Sequence, residues 1–86
     1  MTDDNNTRRQ RLRYRASRRG SRELDLLLGR YAEHALEAMS ESELEEFAAF
    51  LGCPDPLIQA WIMNGDDAAA GKFGKLVRRI QIFHAH

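Results

Sequence analysis

The chain has 86 residues, 43% of them hydrophobic, and its 13 basic side chains balance 13 acidic ones. A single domain of this size hides only roughly 60–65% of its unfolded surface, which excludes a large core with a deep, dry catalytic cavity. No apolar run approaches the ~20 residues that a membrane-crossing helix needs. The lone cysteine, Cys53, has no internal disulfide partner, so a reducing, cytoplasmic compartment is expected. Asp3 and Asp4 argue against an arginine-rich organellar presequence.

Zero net charge conceals segregation. Residues 1–22 hold eight arginines against two aspartates, and residues 23–63 hold nine acidic side chains against Arg30 alone. Such a distribution steers partners by charge and says little about fold.

In chain order, residues 1–6 read as a disordered terminus, 7–83 as one helical domain and 84–86 as a tail. An arginine-rich first helix follows Thr7, with only Leu12, Tyr14 and Ala16 to bury, so packing has to hold it. Gly20 marks a break, where a backbone turn that a β-carbon resists is expected. Ser21 then caps a second helix with Leu24, Leu27, Leu28, Tyr31, Ala35 and Leu36 on one face, and Glu23 and Asp25 in its first turn favour the helix dipole.

Ser40 and Glu43 form a capping box for a third helix that buries Leu44, Phe47, Ala48 and Leu51 and stops at Gly52. Asp55 as cap and Pro56 in the first helical position open a fourth helix ending at Asn64-Gly65, with Leu57, Ile58, Trp61 and Ile62 on its apolar side. Trp61 is expected in the core. Asp66-Asp67 cap a fifth helix with Phe73, Leu76, Val77, Ile80 and Phe83 on one stripe, weakened by Gly71 and Gly74. No segment alternates with period two. The expected fold is an all-α five-helix bundle whose short connections favour antiparallel neighbours.

Catalytic signals are weak. Nothing in the sequence places His34, His84 or His86 beside Cys53, and an activated thiolate needs such a partner. His84-Ala85-His86 lacks nearby carboxylates or cysteines to complete a metal site. The chain therefore reads as a non-enzyme. An arginine-rich helix with Tyr14 interleaved fits a phosphate backbone, and a small antitoxin-like module binding nucleic acid or protein is the alternative reading. The acidic middle of the chain opposes it, and no nucleic acid is expected.

The junction Arg19-Gly20-Ser21-Arg22-Glu23-Leu24-Asp25 is more specific, because a glycine turn before a helix start presents Arg19 and Glu23 for charge-assisted hydrogen bonds. This run resembles the RGxxE signature of the succinate dehydrogenase assembly factor family. Asp55, Leu57, Trp61, Met63 and Gly65 resemble that family's D-x-L-x(3)-W-x-M-x-G segment, and Val77-Arg78-Arg79-Ile80-Gln81 resembles its closing helix. The likeness spans roughly residues 8–82. Ser21, where many members carry methionine, departs from the pattern, as does the absence of an acidic residue at Cys53-Pro54.

The resemblance implies a five-helix chaperone. Its partner is the immature flavoprotein subunit of succinate dehydrogenase or fumarate reductase, where it promotes covalent attachment of FAD to a histidine. It further implies that Arg19, Gly20 and Glu23 contact the partner, with Arg22 and Asp25 extending the patch. No cofactor is expected on this chain, since FAD belongs to the partner. Neither metal binding nor membrane insertion is expected, and the free chain is expected to be a monomer.

Overall fold

Five α-helices and two short 3₁₀ segments, with no strand among the described residues, follow one another in the expected order. The computed structural model describes residues 2–65 and 68–85. Helix α1 spans Thr2–Ser17, starting ahead of the expected Thr7, and α2 spans Arg22–Ala35 and continues as a 3₁₀ turn over Leu36–Ala38. Helices α3, α4 and α5 cover Glu41–Leu51, Asp55–Met63 and Gly74–Ala85.

The polar first helix is held by a few specific contacts. Leu12 and Ala16 are buried, whereas Tyr14, expected inside, is 61% exposed with the Arg18 guanidinium 5.0 Å above its ring. The core stripe passes through Leu12 and Ala16, and residue 14 lies a half-turn from both. Inward arginines do the rest. Arg9 donates to the carbonyls of Leu36 at 2.9 Å and Met39 at 3.0 Å, tying α1 to the 3₁₀ turn that follows α2 and to the residue after it. Arg13 pairs with Glu33 at 3.1 Å and Glu37 at 3.6 Å. Early residues of α1 thus meet late residues of α2, the mark of an antiparallel pair. Gly29 is buried against the end of α1: a β-carbon there would lie 3.2 Å from Ser17 Cβ.

The caps follow the local sequence rules. Ser21 Oγ accepts from the amide of Leu24 at 3.2 Å, and the Ser40–Glu43 capping box is complete. Helix α4 differs by one residue: Pro54 occupies the cap, and its carbonyl accepts from the amides of Leu57 and Ile58 at 3.0 and 3.2 Å. Asp55 is already helical, which frees its carboxylate for longer-range work.

Phe47 and Phe50 are the largest fully buried side chains. Phe50 is absent from the expected face of α3, yet its ring packs at 5.5 Å from Phe73 and 6.2 Å from Trp61. Trp61, partly buried, completes this aromatic group at 6.4 Å from Phe73, in keeping with the expected core role. Leu57 was expected on the buried side of α4 but is 47% exposed; Ile58 and Ile62 carry the burial there.

The expected fifth helix is divided. Ala68–Phe73 forms a 3₁₀ segment in which Gly71 has φ 60° and ψ −120°, a conformation unfavourable for any residue with a β-carbon, and α5 begins only at Gly74. The proposed caps Asp66 and Asp67 lie outside the described residues, as does His86. Leu76, Val77 and Ile80 are buried as expected, and the helix continues through His84, whose Nε2 lies 2.7 Å from the Leu27 carbonyl. No helix among the described residues is long and apolar enough to cross a membrane.

Candidate functional site

The turn between α1 and α2 meets the N-terminus of α4 at one corner, and Asp55 joins them. Arg19 Nη2 and Nε lie 2.7 and 2.9 Å from Asp55 Oδ1, and Arg19 Nη2 also donates to the Cys53 carbonyl at 3.3 Å. The other carboxylate oxygen, Oδ2, accepts the amide of Gly20 at 2.9 Å. On the near side, Asp25 accepts the backbone amide of Arg19, while the Asp25 amide bonds the Ser21 carbonyl at 3.0 Å. Two carboxylates therefore hold two successive amides of the turn, and a guanidinium fastens the turn to the connection between α3 and α4.

The side chain of Arg19 is only 11% exposed and that of Asp55 31%. Hydrogen bonds of this charged kind stabilise by about 1.5–3 kcal/mol when shielded, less where water reaches the acid. The Gly20 amide is the largest influence holding the Asp55 carboxyl below the ordinary aspartate range, aided by the Arg19 hydrogen bond and charge, against opposing desolvation. A lowered folded-state pKa contributes stability that is fully present above the unfolded value and is lost as pH falls through the folded one. Glu43 behaves likewise, chiefly through the Ser40 amide. Circular-dichroism melts should therefore show the carboxylate contribution intact above about pH 5 and fading below about pH 4. Asp55→Asn should flatten that dependence.

Gly20 has no positive φ, so its expected special backbone conformation is absent. Space is the constraint: a β-carbon would sit 3.1 Å from Asp55 Oδ2 and push the carboxylate away. The structure also does not set Arg19 beside Glu23 as an outward pair. Arg19 turns inward to Asp55, while Gly20, Arg22 and Glu23 remain exposed and Asp25 is half-buried. Among the described residues, neither Arg22 nor Glu23 forms an ion pair. Asp55 is the residue that sequence reasoning underused: it stood in the tryptophan-containing segment, but only the fold brings it to Gly20. Two neighbours in that segment, Leu57 and Met63, face solvent.

Among the described residues no cluster of histidine, cysteine, aspartate or glutamate is arranged to hold a metal ion. What the corner presents is a braced backbone with exposed Gly20, Arg22 and Glu23 at its rim.

Residues 10–84 match the family model described as flavinator of succinate dehydrogenase. A Coxiella burnetii protein named FAD assembly factor SdhE is 38% identical over 64 residues, covering 74% of this chain and 78% of that one. A Xylella fastidiosa protein of the same name is 39% identical over 75 residues, covering 87% and 76%. Succinate dehydrogenase assembly factor 2, mitochondrial, from Yarrowia lipolytica is 42% identical over 65 residues, 76% of this chain but 45% of that longer protein. No solved structure matches. With nearly the whole helical body matched, RGxxE corner included, the chain belongs to the family of flavinators of succinate dehydrogenase.

Proposed function

We propose that this chain is a non-catalytic assembly factor that docks on the immature flavoprotein subunit of succinate dehydrogenase or fumarate reductase and promotes covalent attachment of FAD to a histidine of that subunit. Membership of the flavinator family is the observation that carries it, supported by relatives named as FAD assembly factors. The flavin and its reacting groups belong to the client. Negative charge develops on the flavin ring during attachment, and preorganised donors and cations in the client stabilise it. A partner that holds the client's domains in the reactive arrangement raises the rate by positioning alone. The free chain acts as a cytoplasmic monomer.

Gly20, Glu23 and Arg22 form the contacting rim in this proposal. Gly20 allows a partner's backbone to come close, and Glu23 and Arg22 supply charge-assisted hydrogen bonds. Arg19 and Asp25 contribute indirectly, by bracing the turn. Leu57, exposed in the first turn of the helix whose opening residue holds Gly20, adds apolar area.

The test is co-expression of the flavoprotein subunit with and without this chain in cells lacking an endogenous factor, read as flavin fluorescence on a denaturing gel. The chain should raise covalent flavin several-fold. Glu23→Ala should abolish most of that gain with only a small shift of the melting curve, because Glu23 forms no ion pair with any described residue and has only its helix-dipole contribution to lose. Equal flavin with and without the chain defeats the proposal.

A further inference from the structure

The eight arginines of the first 22 residues divide by direction. Arg9, Arg13 and Arg19 turn inward and are bonded to the body of the protein. Arg8, Arg11, Arg15, Arg18 and Arg22 form no ion pair with any described residue, and all but the half-buried Arg8 are exposed. Arg8, Arg11 and Arg15 are 3 and 4 residues apart on α1, the helical repeat that keeps side chains on one face; Arg18 follows just past the end of that helix, and Arg22 opens α2 beyond the turn. From Arg8 to Arg18 such a row covers about 15 Å. Tyr14 stands within it, 61% exposed, beneath the Arg18 guanidinium.

Like charges at these spacings repel and weaken a helix, and α1 has little apolar surface with which to offset that. A solvated face needs no such alignment, and the exposed charged positions of residues 23–63 are glutamates apart from Arg30.

We infer that this row is a second docking surface, which receives a carboxylate-rich surface of the flavoprotein client and guides it onto the Gly20 corner. The inference rests on the docking role proposed above. Two observations favour an acidic protein over a nucleic acid. Arg18 and Arg22 flank Gly20 in sequence, so the row runs directly into the corner. The nine acidic side chains of residues 23–63 repel a long polyanion that extends past α1, whereas a discrete acidic patch need not reach them. Every cation in the row is arginine, whose planar fork matches carboxylates two bonds at a time. Tyr14 supplies a flat apolar contact at the centre. Arg9, despite its place in the basic segment, has no part in this surface.

Association of the full chain with the purified flavoprotein subunit, followed by interferometry across a salt series, tests the inference. The variant is Arg8→Gln/Arg11→Gln/Arg18→Gln, which keeps good helix formers and spares Arg15, whose guanidinium also lies near Gly52 at the end of α3. At low ionic strength the variant's association rate should fall on the order of tenfold, with the difference disappearing at high salt. The variant should melt no lower than the wild type, since like-charge repulsion along α1 is relieved. An unchanged rate and salt dependence in the variant overturns the inference and leaves the corner's role standing. If the wild-type chain fails to bind the subunit at all, the docking role itself falls, and the row's proposed partner with it. Tighter binding of a single-stranded oligouridine probe than of the subunit, at equal salt, assigns the row to nucleic acid and also overturns the inference.

Discussion

Phe50→Ala is expected to unfold a large share of the molecules at physiological temperature. Phe50 is completely buried, and its ring joins α3 to α4 through Trp61 and to the segment before α5 through Phe73. Truncating a buried phenylalanine costs about 3–5 kcal/mol, the lost transfer free energy plus the cavity left behind. Small domains are stabilised by only about 5–15 kcal/mol in total, and a chain this short belongs near the lower end. Urea denaturation followed by circular dichroism should show a midpoint shift of that size with little change in slope. Phe50→Leu, which keeps most of the apolar volume, should recover more than half of the loss. A shift below about 1 kcal/mol for alanine would show that the neighbours collapse into the space.

The second large effect is expected at Asp55. Alanine there removes the acceptor for the Gly20 amide and the counter-ion for a guanidinium that is almost nine-tenths buried. Leaving one member of a shielded pair behind is the costly way to break it. Because Asp55 is itself partly wet, about 2–3 kcal/mol is expected, below the range for a fully buried pair. Asp55→Asn keeps an oxygen for Gly20 but loses the charge opposite Arg19, so an intermediate value should result. The double variant Asp55→Ala/Arg19→Met should be more stable than the sum of the single losses predicts, since the orphaned cation is gone. Covalent flavin in the co-expression assay should fall with Asp55→Ala even at a temperature where the protein remains folded. That outcome ties the bracing of the turn to the activity. Normal flavin in a folded Asp55→Ala variant would show that the turn's anchoring is irrelevant to the client.

Local signals in the chain were readable where a few consecutive residues decide the geometry. Ser21 and Ser40 announced two helix starts through their side-chain oxygens, and both act as read. The spacing of leucines located the buried side of α2. Where the decision is made at long range, the sequence was mute. Asp55 looks like an ordinary helix cap beside Pro56, and only the packing of two connections 35 residues apart in the chain turns its carboxylate toward Gly20. Phe50 was missed because Leu44, Phe47 and Leu51 already make a satisfactory stripe; the buried arc of α3 is wider than that stripe since other elements press on it from both sides. Tyr14 and Leu57 err in the opposite sense, being large apolar residues left about half-exposed or more, Tyr14 with the Arg18 guanidinium over its ring. Gly71 was legible as a weakness in a helix but not as a bend, because composition lacks the sign of a dihedral angle.

The corner's motif was visible while its wiring was not. Arg19 and Glu23 stand four residues apart and of opposite charge, which suggested a pair with a common task. The fold separates their duties, giving Arg19 to the interior and leaving Glu23 at the surface.

One consequence of the two aspartates that grip the Arg19 and Gly20 amides concerns entropy. A bend of this kind in a free loop would sample many shapes, and a client would have to select one of them at a cost of about 1–2 kcal/mol per residue frozen. Here the bend is set before any encounter. In the proposed docking, recognition at this place is accordingly a meeting of rigid bodies, in which tight complementarity comes without the affinity penalty of ordering a loop.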